Sequence, residues 1–266
     1  EMTSSLVGSE MCIRDRSIYK IYTNLESLSI MNRLREKFFL RISQDFEVMS
    51  KMVIQQIHQT QRLLETNTLP EIYTEIHNNE RIIDSLDVKM RDEVINTIVL
   101  YSPRAGDLRK IMAYYDMTAY LERIGDLLIN ISIFMNQVNI GGAIFPLYKN
   151  HISKLWTVAE NMVQNAIFAF TCEDNNLAKE TINLDDIVDT LHHELTQKLR
   201  TQNADKTLKE QQLTDILSLS SISYNIERIG DNATNIAEAA IYLMEGKNIK
   251  HQGKENTYIL QAGSEG

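Results

Sequence analysis

An internal repeat limits what this chain can fold into. Residues 121–131 read LERIGDLLINI and residues 226–236 read IERIGDNATNI, identical at seven of eleven positions with an offset of 105. The same offset carries Glu80 onto Asp185 and Asp84 onto Asp189, with no gap from 80 to 131. It also carries Ser102 onto Thr207, two residue types suited to capping a helix. Chance can produce one short match; aligned acids and aligned caps point to duplication of a whole unit. The fold must therefore be built twice from the same plan.

That plan is helical. Phe38, Ile42, Phe46, Met49, Val53, Ile57 and Leu64 fall mostly three or four apart, and predict a helix from about 33 to 64. Ile72, Ile76, Ile83, Leu86, Met90, Val94 and Ile98 predict a second over 71–99, with Pro70 acceptable in its first turn. A third is expected from Ser102 and Pro103 to about 138, stopped by Gly141 and Gly142. The second half repeats this over 147–172, 177–200 and 207–244, where Thr207 and Glu210 form a capping-box pattern and Ile187 joins the fifth apolar stripe. With only 3 prolines and 10 glycines, long helices are permitted and a turn-rich β fold is poorly supported. The expected fold is all-α: a tandem pair of elongated three-helix bundles, six long helices in all. Residues 31–140 form the first bundle and 141–246 the second. Residues 1–30 are expected to be a leader, a flexible extension or a spurious attachment, and 247–266 a disordered tail.

Charge and composition exclude several classes. Lys and Arg number 27 against 36 Asp and Glu, a net charge of −9 with no concentrated basic stripe, so nucleic acid is disfavoured. Cys12 and Cys172 match no metal or redox spacing, which favours a reducing compartment. No run of 18 apolar residues suggests a membrane span. There is no phosphate-cradling glycine loop, nucleophile elbow or Cys/His cluster.

The chemistry lies in acidic pairs. Each repeat carries two at i,i+4: Glu80/Asp84 and Glu122/Asp126, then Asp185/Asp189 and Glu227/Asp231, with Asn130 and Asn235 one turn further on. Residues so spaced share a helix face, where like charges repel by a few tenths of a kcal/mol. One such pair is ordinary surface; four in register ask for compensation. Arg123 and Arg228 could neutralise them, a metal could, or the face could be wet. All-oxygen ligation suits iron, manganese, magnesium or zinc. His192, three residues after Asp189, is the one nearby candidate nitrogen ligand. Gly125 and Gly230, inside helices, imply either close helix contact or room for a ligand. Asp107 is explained by the helix dipole, Trp156 by core or interface, and Tyr114, Tyr115 and Tyr120 could line a docking face. A carboxylate-bundle metalloenzyme and a purely structural helical protein remain the competing readings.

The segment Ser102–Arg109 (SPRAGDLR), the twin ERIGD motifs and the terminal Tyr242…Gly246 resemble the PhoU family of phosphate-signalling regulators over residues 31–246. The resemblance implies two similar three-helix bundles. It implies iron or zinc clusters on Glu80, Asp84, Glu122, Asp126 and Asn130, and on Asp185, Asp189, Glu227, Asp231 and Asn235. It further implies a cytoplasmic, homodimeric, non-enzymatic regulator, peripheral at the membrane through its partners. Those partners would be the ATPase of the phosphate ABC transporter and the phosphate sensor histidine kinase. His192 stands where the first repeat has Asp87, so the two sites need not match.

Overall fold

The computed structural model describes the backbone of residues 4–66, 70–203 and 207–246, with side chains from Arg33 onward. Among them are seven helical segments and no strand: α1 (Ser4–Thr66), α2 (Pro70–Tyr101), α3 (Ala105–Met135), α4 (Phe145–Thr171), α5 (Asn175–Asn183), α6 (Asp185–Thr201) and α7 (Glu210–Glu245). The helix bounds keep the repeat: Thr66 and Thr171 end α1 and α4, Pro70 and Asn175 begin α2 and α5, and Ala105 and Glu210 begin α3 and α7, each pair 105 apart.

The single helix expected over 177–200 is two. Leu184 breaks it: its amide bonds to Thr181 and its carbonyl accepts from both Ile187 and Val188, a tightened turn between α5 and α6. Val188 then faces the core, while Ile187, expected in the same stripe, is exposed. The expected caps also move. Ser102 adopts a positive φ and closes α2, donating its amide to the Ile98 carbonyl, so Pro103 precedes α3 rather than opening it and Arg104 takes the N-cap position. In the second repeat the Thr207–Glu210 box gives way to Lys209, whose amide donates to the Gln212 side chain at 2.9 Å. Arg104 and Lys209 are themselves 105 apart, so the register survived although the capping residues differ. Helix α3 ends at Met135, before Gly141 and Gly142, which lie in the connection to α4; Gly142 turns back onto the Asn139 carbonyl at 2.9 Å. Helix α1 begins at Ser4, inside the segment expected as a leader, in a stretch that holds no proline. The expected tail over 247–266 lies outside the described residues.

Most of the apolar stripes form one core, and Leu63, Ile72 and Ile76 make a separate, smaller cluster. Ile42, Met49, Val53 and Ile57 of α1 face Met90 of α2 and Met117, Leu121, Ile124 and Leu128 of α3. Leu155, Trp156 and Met162 of α4 do the same with Val188, Leu195, Ile226 and Ile236 in the second half. Helix α7 joins the halves, packing against both α3 and α4, whereas α1 touches α4 only sparingly. At that seam Tyr114 meets Phe46 and Phe170 edge to face while those two rings are tilted against each other, with ring centroids 5.2–5.5 Å apart. The connection after α3 is fastened to α7 by Asp215, which is buried and accepts from the Asn139 amide and the Gln211 side chain, both at 2.9 Å.

At the far end Gly246 takes φ +70° and donates to the Tyr242 carbonyl. A Cβ there would fall within 2.5 Å of the Arg109 guanidinium, which lies over the Tyr242 ring. That contact gives Arg109 and the terminal Tyr242…Gly246 a shared packing role.

Candidate functional site

Helices α2 and α3 bring the first acidic pairs to one face. Glu80 on α2 reaches under α3 toward Gly125, where its Oε2 would lie 2.8 Å from a Cβ. Glycine is what lets the carboxylate enter. Gln56 of α1, fully buried, donates its amide to Glu80 Oε2 at 3.4 Å and to the Gly125 carbonyl at 3.3 Å. Burial, then a hydrogen bond to Asp126, push the Glu80 carboxyl up to about 8, against a smaller lowering from Gln56. Burial and then Asp126 raise Asp84 and Glu122 as well; Asp87 adds to both, and Arg91 opposes the shift of Glu122. The first-repeat carboxylates therefore feel one another. Asp126 and Asn130 lie toward solvent on α3.

The second repeat builds a similar face with different details. Here the half-buried acid is Glu227 on α7, pushed to about 7 by burial and then by Asp231, Asp189 and Asp185, with Arg228 opposing. Asp185, a methylene shorter than its counterpart Glu80, accepts from Thr234 at 3.2 Å. Gly230 meets not a carboxylate but Val188, whose Cγ1 would sit 3.2 Å from a Cβ. Asn235 turns back to bond the Asp231 carbonyl. His192 bonds Ser223 at 2.8 Å; burial lowers its imidazole, against the opposite pull of Ser223 and Asp189. Its counterpart Asp87 instead grips Arg91 at 2.7 Å, and Arg91 reaches the Tyr115 hydroxyl.

Buried oxygens that accept no hydrogen bond mark both faces: Oε1 of Glu80 and of Gln56 in the first, Oε2 of Glu227 in the second. Such atoms are costly to leave unpaired, and a cation would satisfy them. The donor chemistry, all oxygen with an imidazole beside the second face, thus suits a hard or borderline cation. Among the described residues, however, no three His, Cys, Asp or Glu side chains stand so as to hold one ion.

Two contributors were missed from sequence. Gln56 follows Val53 by three and precedes Thr60 by four, a polar residue in core register, which was the available signal. The Asp87–Arg91 pair at i,i+4 was the other.

Comparison with known proteins agrees with this architecture. Residues 46–135 and 152–240 each match the PhoU domain. A protein of Aquifex aeolicus named phosphate-specific transport system accessory protein PhoU homolog is 35% identical over 204 residues, covering 77% of this chain and 90% of the relative. Its namesake PhoU homolog 1 of Thermotoga maritima is 31% identical over 193 residues, covering 71% and 78%. The crystal structure of PhoU from Pseudomonas aeruginosa superposes with a TM-score of 0.72 at 24% identity, covering 80% of this chain and 99% of that one. The phosphate transport system regulatory protein PhoU from Streptococcus pneumoniae gives 0.68 at 18% identity, with the same coverage. With both repeats matched in register and the carboxylate faces built on the matched helices, the chain belongs to the PhoU family.

Proposed function

We propose that this protein is a non-enzymatic regulator of phosphate transport, working by contact with other proteins. The observation that carries the reading is the match of both repeats to a family whose members are named as accessory proteins of phosphate transport. The acidic helix faces, built on the matched helices, are in keeping with it. No described helix is long and apolar enough to cross a membrane. The proposed contact with the phosphate transporter is through its ATPase, on the cytoplasmic side. The sensor histidine kinase of the phosphate response is the second proposed partner, and a homodimer the proposed assembly. When phosphate is plentiful the protein would hold signalling off and restrain uptake.

The carboxylate faces are proposed to bind iron or zinc. Glu80, Asp84, Glu122 and Asp126 are the proposed ligands on the first face and would have to close around the cation, with Asn130 beyond them. Asp185, Asp189, Glu227 and Asp231 would do so on the second, with Asn235. Bound there, a cation would supply positive charge to an acidic surface and partners for the orphan oxygens. Gln56 orients Glu80 for this, and Thr234 orients Asp185.

Co-purification from cells at high phosphate should recover the transporter ATPase or the sensor kinase. Recovery of neither, with normal phosphate control in a deletion strain, would refute the regulator reading. Elemental analysis of the wild type and an Asp126→Asn, Asp231→Asn variant tests the metal separately: equal, negligible metal in both sinks it and leaves the regulator reading standing.

A further inference from the structure

The two carboxylate faces are not built alike, and the repeat shows where they part. At the offset of 105, Asp87 becomes His192 and Arg91 becomes Thr196. On the first face Arg91 Nε donates to both oxygens of Asp87, at 2.8 and 2.7 Å, and the guanidinium lies over the Tyr115 ring. That end of the first face is closed by a cation of the protein's own. On the second face Thr196 bonds carbonyls of its own helix, those of His192 and His193. The fixed positive charge is gone from this position, and an imidazole stands where the carboxylate was. Arg228 of α7 is turned over the Tyr224 ring, 5.6 Å from its centroid.

Two hydrogen bonds fix how α6 lies along α7. Asp185 accepts from Thr234 at 3.2 Å and His192 bonds Ser223 at 2.8 Å, so the helices run antiparallel and the stretch between those bonds holds Asp189 on one helix and Glu227 on the other. Asp189 and His192, three apart, share a face of α6, and Glu227 is one turn of α7 beyond Ser223. Asp189 lies within electrostatic reach of both His192 and Glu227. Glu227 Oε2 is buried and accepts no hydrogen bond. Ser223 is fully buried and engages Nδ1 of His192, while Nε2 makes no hydrogen bond among the described residues. A ring anchored through one nitrogen, with the other left for coordination, is how proteins orient a ligating histidine.

Resting on the metal reading above, we propose that the second face holds zinc through Nε2 of His192 together with Asp189 and Glu227, and that this imidazole makes the second face prefer zinc to manganese. The three side chains would have to close around the ion, because no three stand ready for one among the described residues. One imidazole nitrogen with two carboxylate oxygens is a donor set that zinc accepts, with a fourth position left for water or a further ligand. Manganese favours carboxylate oxygen and gains less from the imidazole. Ser223 is the positioning residue, since it fixes which ring nitrogen is available.

Titration of the metal-free full chain with zinc and, separately, with manganese tests the proposal. Ser223→Ala, which removes the ring's anchor, should weaken zinc binding about tenfold or more, and His192→Gln by more than that, while manganese binding changes little. Where His192→Gln loses its helix content by circular dichroism, His192→Asp carries the test, because aspartate is the residue that the same fold holds at position 87. X-ray absorption of the zinc-loaded chain should show imidazole bound to the metal. That signal should vanish in the His192 variant and persist in His77→Gln and His193→Gln, which change exposed histidines on α2 and α6. Bound zinc without imidazole, an imidazole signal that follows His77 or His193, or equal losses of zinc and manganese in the His192 variant overturns the proposal and leaves the metal reading standing. Binding of neither metal by the wild type overturns both.

Discussion

Gly125 and Gly230 occupy the same place in the two repeats, yet alanine there should act in opposite directions. Either change removes a helix-interior glycine, worth up to about 1 kcal/mol of stabilisation. At Gly230 the new methyl meets Val188 Cγ1 at 3.2 Å. Val188 is fully buried and β-branched, so it cannot swing aside, and α6 and α7 must part by a few tenths of an ångström. Overpacking of this kind costs about 1–3 kcal/mol, leaving a net loss of roughly 1 kcal/mol. At Gly125 the methyl meets Glu80 Oε2 at 2.8 Å, the far end of a flexible side chain. Glu80 can rotate toward solvent, which also relieves a buried carboxyl, so stability should hold or rise by up to about 1 kcal/mol. Urea denaturation of metal-free protein measures both; a 1 kcal/mol change corresponds to about 2–4 °C in Tm for a chain of this size. Manganese titration adds a second axis: Gly125→Ala displaces a proposed ligand and should weaken binding, and Gly230→Ala should not. Equal shifts of the same sign in both variants would refute the reasoning, because it would mean that the two glycines face the same obstacle.

Two further outcomes are expected. Glu80 and Glu227 are raised to about 8 and about 7, above the range of an unfolded chain, so the native state binds protons more tightly. Stability of the metal-free protein should therefore fall as pH rises from about 4.5 to 8, and a Glu80→Gln, Glu227→Gln variant should flatten that slope in urea titrations across the range. Asp215→Ala should strand the Asn139 amide and release the connection from α7, costing about 1–3 kcal/mol by thermal denaturation with the helix content preserved.

Much of the molecule was legible before any coordinates. Burial of Ile42, Met49, Val53 and Ile57 follows from their spacing alone, because a helix face is a periodic object. The duplication was equally plain, since its register needs no contact to be seen. The expected caps differ because Ser102 and Pro103 suit a helix start by type, whereas the backbone path puts the N-cap at Arg104, which makes no side-chain cap bond. The break at Leu184 was unreadable for a related reason: no glycine or proline marks it, and the turn is held by local bonding of ordinary residues.

What the sequence determined by itself was the repeat, the helical period and the presence of acids at matching positions, all local and one-dimensional properties. What only the tertiary structure decided was how those acids are used. In the first repeat Glu80 enters beneath Gly125 and meets Gln56 from a third helix, while in the second Val188 fills the equivalent space and Glu227 becomes the buried acid. The physical reason is that a carboxylate's environment depends on which side chain of a neighbouring helix occupies the next few ångströms. Spacing along one helix carries no record of that.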